Sequence, residues 1–273
     1  MNKERIITVA IILCLLATTV ACNNTAEDYF NSGNTKYDQK DFKGAIQDYN
    51  QSIELNPNFT QAYIKRGLAK NKLKDYSGAM QDLTKAIELN PSDARTYIGR
   101  GMVKDNLKDY LGAIQDYNQS IELNPNFTLA YIGRGMVKDN LEDYTGSIQD
   151  YDKAIELNPS DAKSYIGRGM AKDNLEDYMG AIQDYDKAIE LNPSDVKVYN
   201  IRGDVKYKLK DYSGAIKDYN KSIGLNPSDA KIYILRGLAK ILSGHKDDGC
   251  LDLSKAGELG DAEAYESIKE NCN

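Results

Sequence analysis

Six prolines, Pro57, Pro91, Pro125, Pro159, Pro193 and Pro227, are all the prolines of this chain, and each follows the last by 34 residues. Each closes a version of the stretch that reads DYMGAIQDYDKAIELNP at residues 177–193. A fixed period of this size predicts a solenoid, in which each helix pair buries its apolar face only against its neighbours. Such an array grows along one axis, so the length of 273 residues does not set a domain count. Placed in register by the prolines, the repeats run 26–59, 60–93, 94–127, 128–161, 162–195, 196–229 and 230–263.

Two helices fit in each repeat. The first opens at Ser-Asp, as at Ser194 and Asp195, or at Thr after the proline, and ends near Leu175 and its equivalents. The second is capped by Asp177 and its equivalents and stops at Asn192 and Pro193. Asn tolerates a left-handed stop and Pro cannot continue a helix.

In the fifth repeat Tyr165, Arg168, Gly169, Lys172, Ala181, Tyr185, Ala188 and Pro193 fall on the positions of the pattern Trp-x2-Leu-Gly-x2-Tyr, Ala-x3-Phe, Ala and Pro. With seven copies in one register, nearly the whole chain after residue 25 resembles the tetratricopeptide repeat family. The resemblance implies an all-α fold: an α-solenoid of about seven helix-turn-helix repeats wound into a right-handed superhelix with a concave groove. It also implies a protein-binding module.

The small residues have a physical reading of their own. Gly33, Gly67, Gly101, Gly135, Gly169, Gly203 and Gly237 share one site; Ala45, Ala79, Ala113, Ser147, Ala181 and Ala215 share another. Small side chains at both let helix backbones approach, which offsets the roughly 1 kcal/mol helix cost of Gly over Ala. Most of the 20 tyrosines recur at fixed places and read as core. The chain departs from the family pattern at Arg66, Arg100, Arg134, Arg168, Arg202 and Arg236, where an apolar residue is usual. An inward arginine needs a partner. Arg100 with Asp116, Arg134 with Asp150 and Arg168 with Asp184 are the expected structural ion pairs, and the other repeats supply equivalents. Lys70, Lys138, Lys172 and their equivalents are expected to lay their stems on apolar surface and extend the amine to water.

Residues 1–21 read as a signal peptide. Lys3 and Arg5 precede a short uncharged run over 6–20, below the roughly 20 apolar residues of a membrane span. The end, TTVAC, resembles a bacterial lipobox with Cys22 as the lipidated residue and 22–25 as a short tether. Lipidation implies a membrane-anchored lipoprotein of the cell envelope, with Asn23 favouring the outer membrane under the enteric sorting rule. Plain cleavage after Ala21 is the other reading and would leave a secreted or periplasmic protein.

In the family the concave groove is lined by first helices, and the matching sites here hold Ile98, Met102 and Asp105, then Ile132, Met136 and Asp139, then Ile166, Met170 and Asp173. Spacing of i, i+4 and i+7 puts each trio on one stripe. The groove would offer an apolar strip with an acidic edge to a partner segment carrying apolar and basic residues. Packing of Ile and Met between adjacent first helices is the alternative. The family's basic clamp for a peptide carboxylate has no counterpart, because Met102, Met136 and Met170 occupy its places.

The seventh repeat has His245, Gly249 and Asp261 where Asp, Ala and Pro stood, and residues 264–273 read as a capping helix that uses Ala264, Tyr265 and Ile268. Cys250 and Cys272 remain once Cys14 leaves with the leader and Cys22 is lipidated. They form a candidate disulfide stapling the cap, with two reduced thiols as the alternative. His245 is the one histidine, so no histidine relay or multi-histidine metal site is expected, nor any cofactor or catalytic residue. A formal net charge of −6 without basic clusters argues against nucleic acid. The sequence thus reads as a non-enzymatic interaction scaffold, with a glycan- or small-ligand-capture lipoprotein as the alternative. Phe30, Tyr37 and Tyr207 are the aromatic candidates for that second role.

Overall fold

The computed structural model describes residues 24–272. The expected leader (1–21) and the expected lipidation of Cys22 lie outside the described residues, which hold α-helices and no strand. The chain divides into two compact units at Lys108 and Asp109.

The first unit contains α1 (Ala26–Asp38), α2 (Phe42–Leu55), α3 (Thr60–Lys72), α4 (Tyr76–Leu89) and α5 (Ala94–Asn106). The second contains α6 (Tyr110–Leu123), α7 (Thr128–Asn140), α8 (Tyr144–Leu157), α9 (Ala162–Asn174), α10 (Tyr178–Leu191), α11 (Val196–Lys208), α12 (Tyr212–Leu225), α13 (Ala230–Leu242), α14 (Lys246–Glu258) and α15 (Glu263–Asn271). Within each unit every helix packs on the next in sequence, the contact pattern of an α-solenoid. Among the described residues no helix is long and apolar enough to cross a membrane.

Capping explains where the helices start. Asp143, Asp177 and Asp211 each accept a hydrogen bond from the backbone N–H three residues on, at Gly146, Gly180 and Gly214. A Cβ on any of these glycines would collide with the capping carboxylate, so Gly and Asp here are one device. First helices are capped by Asp93, Asp161 and Asp195. The expectation of threonine caps is corrected. Thr60 and Thr128 are the first helical residues, and Phe59 and Phe127 occupy the cap positions with no side-chain bond.

The helix stops differ from expectation too. Asn192 is not left-handed but extended, at φ −140° and ψ 84°, because the following Pro193 crowds any helical backbone before it. Its side-chain Oδ1 instead accepts from the hydroxyl of Ser194 at 2.9 Å. The left-handed residues lie in the turn inside each helix pair, at Lys40, Lys74, Lys108, Glu142, Glu176 and Lys210, with φ between 61° and 64°. The seventh pair uses Gly244 there.

Ala45, Ala79, Ala113, Ser147, Ala181 and Ala215 are fully buried. The glycines facing them make room for more than backbone. A Cβ on Gly33, Gly169 or Gly203 would come within 2.7 Å of Tyr49, Tyr185 or Tyr219 of the same repeat. With leucine at the tyrosine place the backbone itself comes close, as where a Cβ on Gly237 would lie 2.9 Å from the carbonyl of Gly249.

A charged ladder runs beside this core. Arg134 donates from Nε and Nη2 to both oxygens of Asp150, a residue only 3% exposed, and Arg168 does the same to Asp184. Arg66 with Asp82, Arg202 with Asp218 and Arg236 with Asp252 repeat the fork. Arg100 belongs to the first unit and Asp116 to the second. The lysines correct the expectation of amines in water. Lys70, Lys138, Lys172, Lys206 and Lys240 turn inward to the same aspartates at 2.7–2.8 Å, because a carboxylate held by arginine still has lone pairs to offer. Arg66, Arg134, Arg168, Arg202 and Arg236 also reach back one repeat, as Arg134 Nη1 does to Asn118 Oδ1 at 2.6 Å and Arg168 Nη1 to Asp152 Oδ1 at 2.6 Å.

At the C-terminal end α15 packs Ala264 and Ile268 on Ile234, Leu253 and Ala256. Cys250 of α14 and Cys272 are joined by a disulfide, with Cα atoms 5.8 Å apart. Tyr265 does not serve the apolar face as expected. It is 63% exposed, with its ring edge over Gly257.

Candidate functional site

The first-helix face of the second unit holds a cavity of about 380 Å³. Ile132, Met136 and Asp139 come from α7, Ile166 and Met170 from α9, and Asn140, Tyr151, Lys163 and Gly167 complete the lining. Met136 and Met170 are about half exposed. Ile132 and Ile166 are partly buried, so they line the cavity and pack beneath it. The other sequence-derived groove residues do not join them. Ile98 is only 7% exposed and belongs to the core of the first unit, which corrects its assignment to a surface. Met102, also in the first unit, is exposed, and Asp105 is partly buried. Asp173 is engaged by Lys208, whose Nζ lies 2.7 and 2.8 Å from its two oxygens.

Gly167, in the cavity lining, sets the position of the Tyr151 ring beside it. Tyr185 and Tyr219 lean on the glycine of their own repeat, but the next repeat places Ile201 and Leu235 beside them. For Tyr117 and Tyr151 those places are Gly133 and Gly167, and both rings swing forward until a Cβ there would fall on the ring. A Cβ on Gly135, in the own-repeat place, would lie 3.2 Å from the Tyr151 ring, still tight but further than the 2.6 Å between a Cβ on Gly169 and Tyr185. The swing carries the Tyr151 hydroxyl to Asp139 Oδ2, to which it donates at 3.1 Å. Sequence reading missed this second glycine, although it was visible as IGRG in the third to fifth repeats against YIKRG, NIRG and ILRG elsewhere.

Burial pushes the Asp139 carboxyl above the ordinary carboxylate range. The hydroxyls of Ser147 and Tyr151 pull the other way, and only that of Tyr151 makes a well-formed hydrogen bond, leaving Oδ1 buried and unbonded. The site therefore presents apolar walls of adaptable thioethers, one under-satisfied carboxyl, and Lys163 on the opposite side. Among the described residues no cluster of His, Cys, Asp and Glu could hold a metal ion. His245 has its Nδ1 3.1 Å from the Ser243 hydroxyl in the turn before α14.

Family profiles described as TPR repeat match residues 33–73 and 203–244, and profiles described as tetratricopeptide repeat match 60–93, 94–127, 129–161 and 162–195. The chain belongs to the tetratricopeptide repeat family. Among solved structures, a tetratricopeptide repeat protein from Parabacteroides merdae is 22% identical, with 91% of this chain and 99% of that one covered at a TM-score of 0.64. PilF of Pseudomonas aeruginosa is 20% identical over 77% of this chain and 97% of its own, at 0.67. YrrB, a TPR protein with an unusual peptide-binding site, is 22% identical over 69% and 97%, at 0.60. These likenesses are likenesses of fold. A comparison with curated protein sequences finds no match. As a tetratricopeptide repeat protein, the chain departs from its family where the arginine ladder replaces apolar contacts and where the second glycines open the first-helix face.

Proposed function

We propose that this chain is a non-enzymatic scaffold that holds a partner protein's segment on its first-helix face, exported and anchored in a bacterial envelope through lipid on Cys22. The observation that carries the binding reading is the cavity between α7 and α9, where Met136 and Met170 stay exposed on apolar walls instead of packing between helices. A pocket with apolar walls and few convergent polar groups is the usual form of a recognition site. Its occupant is a segment with apolar and basic residues, as the half-buried acid Asp139 at its edge requires. Ile132 and Ile166 line the cavity with Met136 and Met170, Asp173 lies on the same stripe of α9 as Ile166 and Met170, and Met102 and Asp105 hold the equivalent positions in the first unit. YrrB, of the same fold, is described as having a peptide-binding site, which supports this role for a repeat array.

Export draws support from the Cys250 to Cys272 disulfide, a bond that persists in oxidising compartments. Glycan capture draws none. Phe30 packs on Tyr49 and Phe59, Tyr37 on Phe42, and Tyr207 on Tyr212, so these rings are committed to one another.

The test replaces Met136 with a photo-crosslinking residue in the producing cells and identifies by mass spectrometry what becomes attached. A discrete protein adduct is expected. Glycan adducts alone, or none from a folded, membrane-bound product, would overturn the scaffold reading.

A further inference from the structure

Lys208, near the end of α11, fills a seat made by the preceding repeat. Its Nζ meets both oxygens of Asp173 and lies 5.7 Å from the centre of the Tyr178 ring, so the ammonium is held by a carboxylate and an aromatic face together. The same three positions recur every 34 residues. In the first unit they hold Asn71, Tyr76 and Asn106, and the seat is closed by neutral groups, Asn106 donating to Asn71 Oδ1 at 3.1 Å. One repeat before Lys208 they hold Asp139, Tyr144 and Asn174. Here the acid and the ring are present, but the residue that should supply the cation is an exposed, uncharged asparagine.

Asp139 also lines the cavity, where Asp173 does not. Among the described residues its hydrogen bond comes from the Tyr151 hydroxyl, which brings no charge, and its Oδ1 has no partner. Lys163 is the one basic residue of the lining, on α9 beside Ile166, and forms no ion pair with Asp139.

We propose that Asp139 and Tyr144 form a cation seat taken by a lysine or arginine side chain of the partner segment, which places that segment's neighbouring apolar residue between Met136 and Met170. The inference rests on the partner-binding reading above and adds to it a register: one basic side chain, at one place, in the role that Lys208 plays in cis. Asn174 is then a specificity residue, because its lack of charge keeps the seat open.

The experiment selects phage-displayed random dodecapeptides on the full chain in detergent and measures the selected peptides on variants. Wild type is expected to enrich peptides with Lys or Arg next to an apolar residue. Asn174→Lys, an exposed helix-end change that fills the seat in cis, should weaken those peptides about tenfold or more, as loss of a close charge pair does. Asp139→Asn should weaken them similarly, and decides the matter if the lysine variant fails its melting control. Basic peptides that bind both variants as well as wild type would overturn the seat. Apolar peptides without a basic residue, lost on Met136→Glu but indifferent to Asn174→Lys, would overturn the seat and leave the scaffold reading standing. No peptide sensitive to Met136→Glu would overturn both.

Discussion

The ring of Tyr151 lies against the backbone of Gly167 one repeat on, whereas Tyr185, its equivalent, leans on Gly169 of its own repeat. The difference follows from what the next repeat offers, glycine in one case and Ile201 in the other. Gly167→Ala should therefore force the ring back, break its bond to Asp139 and cost about 1–3 kcal/mol of overpacking. Gly224→Ala is the control. Gly224 lies inside α12, a Cβ there meets nothing, and the change should stabilise by about 0.5–1 kcal/mol. Urea midpoints for the two variants should move in opposite directions; a shared direction would refute this account of the tyrosine.

Asp150 holds two cations at once, Arg134 and Lys138. Both cationic side chains are about one-fifth exposed, so water offsets only part of the loss when the carboxylate goes. Asp150→Ala should cost about 3 kcal/mol, near the lower end for breaking a buried pair. Lys153→Ala removes an exposed partner of Glu156 in the same repeat and should leave the urea midpoint nearly unchanged, since water screens that pair. Equal losses in urea unfolding would mean that the ladder is a surface feature.

The period, the helix pairs and the caps at Asp143, Asp177 and Asp211 were legible because each repeat states them again in the same register. The Asp side of the arginine forks was legible by elimination, since an inward guanidinium needs a carboxylate within reach. What the period conceals is the exception. Lys138 was expected in water because its own stem suggests snorkelling, and only its distance to Asp150 shows otherwise. Asn192 tolerates a left-handed stop in isolation, but Pro193 after it restricts the backbone to the extended side. Asp139 and Asp173 look identical in sequence, and they differ in the structure through Asn174 and Lys208 of the following repeats. The position of Tyr151 in the cavity lining likewise depends on Gly167, a residue of another repeat.

Asp139 also predicts a pH dependence opposite to that of the usual paired carboxylate. Its folded value lies above its unfolded value, so in the interval between them the native protein keeps a proton that the unfolded chain has lost. Its contribution is most favourable below the unfolded value, about 3.9, and declines as pH rises through the folded value. Asp139→Asn removes that decline. The variant's stability relative to wild type should therefore grow from pH 4 to pH 7 in urea unfolding. A constant difference across that range would mean that the Asp139 carboxyl titrates alike in both states.

The Cys250 to Cys272 bond closes a separation of 22 residues and ties the end of α15 to α14. The helix is nine residues long, below the length at which an isolated helix persists in water, so its order depends on Ala264, Ile268 and the staple. Loop-closure entropy for a span of this size is worth about 3 kcal/mol. Reduction should leave the upstream repeats folded, because a solenoid's stability is carried by nearest neighbours. The amides of residues 263–272 should then lose protection against hydrogen exchange while those of α12 keep theirs. Cys272→Ser should behave as the reduced protein does, with or without dithiothreitol. Unchanged protection of α15 after reduction would show that its apolar contacts hold the cap unaided.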